Sequence, residues 1–483
     1  MLLVILKPLT VLVPEVPEPT TKVPLRQRVL WTALILLFFL IASQVPLYGM
    51  LSTKGGDPFY WSRVILASNK GTLMELGISP IITSGMVLQL LSAVRILRIN
   101  QNDPNERALH GKVQKLIALG ITLFQAIAYT LSGIYGPVSE LGMFNASLIV
   151  LQLLLSGVVV ILWDDMLSKN YCVTTQGVSL FIASNICEQI VWTALSPITA
   201  PSQAIPGSTE FEGALLQFVG NAIKKGPHAS RLSAIRYALF RRGMPNVTTL
   251  VNTAALFYLV LYLSNFRVEI PLKRAGYREG MISYPIKLFY TANMPAILQN
   301  ALISNLFFVS QLLFRRFGAG NGVVRSLGIW DQGVPIGGLV SYLASPRGLS
   351  QALANPMKTL VHSIVTIAAC AGFSFVWLQM SGSGPVELAQ SLKQQRLMTP
   401  GTRQARDPTK TQQQKGGVYD EFTYRTVSRY VKRCALVGGA LLGCLVIAGE
   451  LLGCVGGGTG VLMASSLIAN IRENIEKEQQ KVE

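Results

Sequence analysis

The chain has 483 residues, 50% of them hydrophobic and 14% charged, with a mean hydropathy of +0.42. A water-soluble domain of that size does not carry such an apolar excess, so the composition excludes an ordinary soluble protein and points to an integral membrane one. Its 42 Lys and Arg against 24 Asp and Glu leave a net charge of +18, and the placement of those cations along a membrane chain decides its orientation.

The first residues read "MLLVILKPLTVLVPEVPEP". They lack a basic n-region, and "PEVPEP" offers no small-residue cleavage site, so residues 1–28 read as a retained amphipathic segment at the interface rather than a targeting peptide. Apolar runs of about 20 residues, the length that crosses a core of about 30 Å, then recur near 29–48, 76–97, 114–134, 144–163, 177–195, 247–266, 287–313, 359–379, 431–449 and 451–471. These ten spans predict an all-α integral membrane protein. With both termini cytoplasmic, the larger share of Lys and Arg falls in the tails and in the connections 2/3, 4/5, 6/7 and 8/9, as the positive-inside rule requires. Residues 196–246 dissent: they hold Lys224, Lys225, Arg231, Arg236, Arg241 and Arg242 yet fall on the far side.

Between the first two spans lies "DPFYWSRVILASNKGTLMELGISPIITSG", broken by Arg63, Lys70 and Gly71. Asp57 followed by Pro58 is a helix start, with a capping carboxylate and a first-turn residue whose missing N–H costs nothing. Asn69, Lys70 and Gly71 form the stop. The enclosed helix of about 11 residues covers only about half of the hydrocarbon thickness. Irregular backbone beside it is tolerated at that depth only within protein or along a water-filled cavity, so the half-helix implies a cavity.

Just beyond, Ile78 and Ile82 stand one turn apart on one helix face. A ring of such side chains seals by dewetting and does not discriminate by charge, although two isoleucines at this spacing also suit packing or lipid contact. No phosphate-binding loop, HExxH or GxSxG pattern occurs. "GGGTG", Gly456 to Gly460, has the wrong spacing for a dinucleotide site and reads as small residues that let membrane helices approach closely. The sequons at Asn145 and Asn246 lie almost on span ends. The six cysteines form no CxxC pair, and Cys370, Cys434, Cys444 and Cys454 read as thiols in or beside spans. His110, His228 and His362 are too scattered for a metal site, and no cofactor is expected. Glu188 is the one clear acid inside a span, with Glu450 at the turn between the last two. A secondary transporter with a broken-helix site remains an alternative, but it calls for paired intramembrane charges. A membrane-embedded enzyme calls for a nucleophile with a base or a metal set, and no catalytic residue is assigned.

The stretches "DPFYWSRVILASNKGTLMELGISPIITSG", "SLFIASNICEQIVW", "YPIKLFYTANMPAILQNALISNLF" and "GGGTGVLMA" resemble the pore-forming alpha subunits of the eukaryotic endoplasmic reticulum translocon, in the SecY-type family of protein-conducting channels. The resemblance runs through nearly the whole chain. It implies two pseudo-symmetric five-helix halves, 29–195 and 247–471, joined by a lumenal connection at 196–246, with a re-entrant plug half-helix at 57–76 carrying Asp57, Arg63, Lys70 and Glu75. It implies a pore ring of Ile78, Ile82, Val178, Ile182, Ile297 and Met463, and a lateral gate whose polar residues are Thr83, Gln125 and Asn305. The cytoplasmic loops 267–286 and 380–430 would face the ribosome through Arg267, Lys273, Arg274 and Arg278, and through Lys393, Arg396, Arg403 and Arg406. Residues 472–483 would be a cytoplasmic tail. The implied function is translocation of secretory polypeptides across, and lateral insertion of membrane-protein segments into, the endoplasmic reticulum membrane. The implied partners are two small single-span subunits, beta and gamma, ribosomal RNA and exit-tunnel proteins, nascent chains bearing signal sequences, and membrane lipid.

Three stretches depart from that pattern. The turn "KNYCVTTQGVSL" is poorer in glycine than the family's, which narrows its backbone freedom. The insertion "TPGTRQARDPTKTQQQKGG" lengthens the 8/9 connection with polar sequence lacking a core-forming pattern. The connection between spans 7 and 8 reads as short.

Overall fold

The computed structural model describes residues 14–19, 21, 23–50, 63, 66–93, 104–136, 138–169, 171–173, 177–201, 209–223, 236–237, 239–241, 244–274, 281–291, 293–331, 334–346, 348–380, 384–395, 397–398 and 421–479. Asp57, Arg278, Arg396, Arg403, Arg406 and the 399–417 insertion lie outside them, and of Arg274 and Lys393 only the backbone is described.

Ten principal helices organise the chain: α1 (Leu25–Gln44), α2 (Ser79–Ala93), α3 (Pro104–Leu131), α4 (Met143–Ser168), α5 (Gly177–Leu195), α6 (Val247–Ser264), α7 (Met294–Phe317), α8 (Pro356–Met380), α9 (Glu421–Leu451) and α10 (Gly457–Gln479). All but α2 and α10 are long and apolar enough to cross a membrane. α1 starts after Pro24, whose carbonyl accepts the N–H groups of Gln27 and Arg28 at 3.0 and 3.1 Å. Its buried residues are Ile35, Phe39 and Ser43, a single stripe at i, i+4 spacing, so the remaining faces of this apolar helix are left to lipid.

Several expected spans change, among them α3, which begins at Pro104 rather than 114. α2 begins at Ser79 rather than 76, because Leu76 to Ile78 belong to the turns that end the plug; its described part runs to Ala93. α7 begins at Met294 rather than 287, because the chain up to Lys287 is a strand. α9 extends back to Glu421, inside the segment expected as the 380–430 loop. A break at Leu452–Gly456 separates α9 from α10, which then runs past residue 471 through Arg472, Glu473 and Glu476.

α2, α3, α4 and α5 pack in succession with α1 on α5, while α7, α8, α9 and α10 pack in succession with α6 on α10. The two sets meet where α5 touches α10 and α2 touches α7 and α8. Those contacts pair the second and fifth helices of each set, as pseudo-symmetric halves require. Within the second half the helix axes come very close. A Cβ on Gly443 of α9 would lie 2.9 Å from the Ile367 Cα of α8, and one on Gly458 of α10 would run into the Val446 carbonyl of α9. The "GGGTG" run therefore acts as a close-approach surface.

The connections add short strands to the expected helical membrane fold. Strands β1 (Thr199–Pro201) and β2 (Thr209–Phe211) pair, as do β5 (Ile329–Asp331) and β6 (Val334–Gly337). A third sheet has the order β4-β3-β7, from β3 (Arg267–Arg274), β4 (Met281–Lys287) and β7 (Leu397–Met398). β3 reads "RVEIPLKR", with Ile270 and Leu272 buried while Glu269, Pro271 and Lys273 are exposed. That alternation is the period of a half-buried strand. Because β7 joins β3 through Lys273–Met398 and Arg274–Leu397, the 6/7 and 8/9 connections form one unit. Its core is Ile270, Leu272, Ile286, Leu378, Leu392, Leu397, Val427 and Val431. Burial there pushes the Tyr290 phenol up to about 12.

Of the dissenting cations of 196–246, Lys224, Lys225, Arg231 and Arg242 lie outside the described residues, and Arg241 has a structural use. Its guanidinium is buried and donates to the carbonyls of Phe211 at 2.7 Å, Glu212 at 2.9 Å and Pro245 at 2.8 Å, with Glu210 at 3.8 Å. Burial lowers its pKa from the ordinary arginine value. Arg241 thus serves as an internal brace rather than as a topology signal. The 7/8 connection is not a bare short link: a 3-10 turn (Gly318–Gly320), helices Gly322–Leu327, Leu339–Leu343 and Leu349–Ala354, and the β5–β6 pair build a cap. Trp330 Nε1 donates to Ser310 Oγ of α7 at 3.1 Å and seats it. On the opposite face, Val16 N–H donates to Asp165 of α4 at 3.0 Å, and Lys115 of α3 donates to the same carboxylate at 2.7 Å. The described part of the N-terminal segment is therefore strapped to the ends of α3 and α4.

Candidate channel constriction and lateral seam

Ile78, Ile82, Ile182, Ile297 and Met463 are buried in one apolar cluster, and Val178 packs half-buried against it. They arrive from four helices: Ile78 and Ile82 at the start of α2, Val178 and Ile182 in α5, Ile297 in α7 and Met463 in α10. Each pair taken from one helix is spaced i, i+4, so both side chains leave the same face. Ile78 is less than 1% exposed and stands just before α2, its carbonyl accepting the N–H groups of Ile81 and Ile82 at 3.1 and 3.2 Å.

The plug residues lie against this cluster. Leu66, Ala67 and Met74 belong to it, and Ile78 N–H donates to the Leu66 carbonyl at 3.0 Å. Gly77 allows that approach: with φ +52, a Cβ there would run into the same Leu66 carbonyl. The plug is also tied to the end of α1, through Leu47 N–H to the Gly71 carbonyl at 2.9 Å and Leu73 N–H to the Val45 carbonyl at 3.0 Å. Of the four plug residues named from sequence, Arg63 and Glu75 come together: Arg63 Nη2 donates to Glu75 Oε1 at 2.7 Å, with both side chains buried. Gly71 N–H donates to the other Glu75 oxygen. The buried Tyr135 hydroxyl lies beside them, and burial, then the Glu75 charge, holds its pKa well above the usual phenol value. Lys70 is exposed.

Among the three seam residues, Asn305 Nδ2 of α7 donates to Thr83 Oγ1 of α2 at 3.2 Å, joining the two halves. Gln125 does not reach across: its Nε2 donates to Ser79 Oγ at 3.4 Å, inside the first half. An apolar surface beside these residues was not marked from sequence, nor was the bond from Arg315 of α7 to the Ser132 carbonyl at the end of α3. Tyr129 of α3 meets Phe308 of α7 edge-on with ring centroids 5.0 Å apart, and Leu76, Ala126, Ile303 and Phe307 share their cluster. Asn300, one turn beyond Ile297, was also missed; its amide donates to Thr459 Oγ1 of α10 at 3.1 Å and to the Ala296 carbonyl at 2.9 Å. The i+3 offset from a ring residue was the available signal.

The ring carries no charged side chain. Glu188 stands on α5 and accepts from Gln44 Nε2 of α1 at 2.6 Å. The described residues hold no group of three or more His, Cys, Asp or Glu able to bind a metal. Arg267 and Lys273 are exposed on β3, at the face where the N-terminal strap lies. Chemically, the arrangement can seal an opening with deformable hydrocarbon and release it along a seam held by the Asn305–Thr83 hydrogen bond, by the Arg315 guanidinium donating to the Ser132 carbonyl at the end of α3, and by an apolar contact surface.

Comparison with known proteins agrees over the full length. The SecY family profile matches residues 72–471, and the profile described as the plug domain of Sec61p matches residues 37–71. The chain is 42% identical over 484 residues to the protein transport protein Sec61 subunit alpha of Dictyostelium discoideum, covering 99% of this chain and 97% of that one. A solved structure described as a protein conducting channel superposes with a TM-score of 0.77 at 27% identity, over 98% of this chain and 97% of the other. Canine Sec61 in a ribosome-channel complex from the endoplasmic reticulum superposes with a TM-score of 0.72 at 26% identity, with the same coverage.

Proposed function

Because this chain belongs to the SecY family and is a protein-conducting channel, we propose that Ile78, Ile82, Val178, Ile182, Ile297 and Met463 form the constriction through which an extended polypeptide passes. The observation that carries this reading is the convergence of these side chains from four helices into one cluster that also takes in plug residues Leu66, Ala67 and Met74. An uncharged, deformable ring suits a substrate that presents every kind of side chain in turn. The channel works in the endoplasmic reticulum membrane with both termini cytoplasmic, carrying secretory chains across. The α2/α3 edge parts from α7/α8 to let apolar segments into lipid, with Thr83 and Asn305 as the polar latch. The plug seals the lumenal side. The β4-β3-β7 sheet, with Arg267 and Lys273, faces ribosomal RNA and exit-tunnel proteins, and two small single-span subunits accompany the chain. It makes and breaks no covalent bond, so directionality comes from its partners.

The test is photocrosslinking in microsomes from a probe at Ile297 or Ile82 to a ribosome-stalled secretory chain. Crosslinks that require a functional signal sequence, and that move along the nascent chain as it lengthens, are the expected result. Their absence from folded, ribosome-bound protein would remove the ring assignment.

A further inference from the structure

One large apolar surface is used neither by the ring nor by the seam. It lies on the cap between α7 and α8, on the membrane face opposite the β3–β4 hairpin. Leu349, Leu353, Met357, Leu360 and Ile364 recur every three or four residues, and each is more than half exposed. The last three belong to α8, whose outward stripe faces lipid; the first two sit on the short helix Leu349–Ala354 that precedes it. At 1.5 Å per residue the 25 residues of α8 already reach about 37 Å, more than a hydrocarbon core of about 30 Å. Leu349 and Leu353 therefore lie at the level of the headgroups.

The chain bends between the two helices. Asn355 has φ −131 and ψ 71, the departure from helix expected of a residue before proline, and Pro356 then opens α8. The short helix can thus lie along the membrane surface instead of projecting into water. The β5–β6 pair stands beside the first turn of α8, since Lys358 Nζ donates to the Ile336 carbonyl at 3.5 Å. Val334 and Ile336 share one outward strand face, and both are exposed, as is Leu339. Polar anchors hold the cap from its inner side: Trp330 to Ser310, and His362 Nδ1 to the Leu343 carbonyl at 3.1 Å.

We infer that this cap is a monotopic membrane element, in which Val334, Ile336, Leu339, Leu349 and Leu353 insert into the headgroup and acyl boundary of the leaflet on the plug face. The occupant of the surface is phospholipid, because the exposed apolar residues of the short helix are followed, across the bend at Asn355, by those on the outward side of a spanning helix. The inference rests on α7 and α8 spanning the membrane, and not on conduction through the ring.

The experiment places bimane on Leu349→Cys and Leu353→Cys in the purified channel complex, in a parent carrying Cys187→Ser and Cys444→Ser, the substitutions that remove the exposed native thiols. Reconstitution is into phosphatidylcholine vesicles. Quenching by a nitroxide near the top of the acyl chain is compared with quenching by aqueous iodide. Lys273→Cys is the water-exposed reference, and Ile364→Cys the lipid-embedded one. Both cap positions should be quenched at least about twofold more by the shallow nitroxide than by iodide, with a deeper nitroxide less effective there than at 364. Iodide quenching equal to that at Lys273→Cys would overturn the inference, and so would shielding from both quenchers, which would mean that protein covers the surface. Lost crosslinking at Ile297 with unchanged lipid quenching would count against the ring alone.

Discussion

At the scale of single residues, the contact between Asn305 and Thr83 is the described hydrogen bond that links the α2 and α7 sides of the seam. Interhelical hydrogen bonds of this kind contribute about 1 kcal/mol or less, so Asn305→Leu should shift the closed-to-open ratio by at most about fivefold. The expected outcome is a change in the signal hydrophobicity needed for insertion, scored with a graded series of signal sequences; an unchanged threshold removes the latch role. Gln125→Leu should have a smaller effect, because its described bond stays within one half. Arg241 makes the opposite case, of a charge that matters to folding alone. Arg241→Ala strips partners from three backbone carbonyls and from Glu210, and should cost about 3 kcal/mol or more. A clear drop in the thermal midpoint of the purified channel checks it, with crosslinking at Ile297 unchanged in the fraction that stays folded.

At the scale of elements, the described part of the plug is held by the buried Arg63–Glu75 ion pair, by the Asn69 amide donating to the Ser43 carbonyl of α1, and by backbone bonds to the end of α1 and to Ile78. Glu75→Gln leaves the Arg63 guanidinium without its described counter-charge, a change that costs about 3 to 5 kcal/mol when a buried pair is broken. Higher ion conductance through the resting channel in planar bilayers is expected, with partial recovery in the Arg63→Glu, Glu75→Arg double variant. The β4-β3-β7 sheet makes a second prediction. Lys273→Glu should weaken ribosome binding and flatten its dependence on salt, because contact with RNA phosphates releases counterions. Equal salt slopes for both forms would exclude a phosphate contact there. The plug was legible in sequence because an Asp57–Pro58 start and an Asn69–Lys70–Gly71 stop enclose an apolar run too short to cross a membrane. The sheet was not, although "RVEIPLKR" alternates: in a chain dominated by apolar runs, a strand of eight residues with charged ends reads as polar loop. Its third strand comes from residues 397–398, more than 100 positions away, and such pairing leaves no local trace.

At the scale of the whole molecule, the spans were readable because lipid imposes a length and an apolar composition on each helix; the halves and the proposed ring came from the resemblance of motifs, with which the i, i+4 spacing in α2 and α5 agrees. The span ends were less readable. α2 starts late and α10 runs on, since plug turns and glycines set those boundaries rather than hydropathy. Gln125 was placed at the seam by its position in a motif, but which neighbour a buried amide bonds depends on helix rotation, which no motif records. The halves meet along α5–α10 and α2–α7, so a substitution that locks α2 to α7 should abolish insertion while leaving α5–α10 packing intact. A thiol pair at Thr83 and Asn305 is a direct check: oxidation should block transit of signal-bearing chains, and reduction should restore it.

The shared sheet has one more consequence. The connections that enter it come from α6/α7 and α8/α9, all in the second half of the chain. A large particle gripping that sheet holds the protein by a single handle on one shell. The other shell is then free to swing, so the channel can gape while its grip stays fixed.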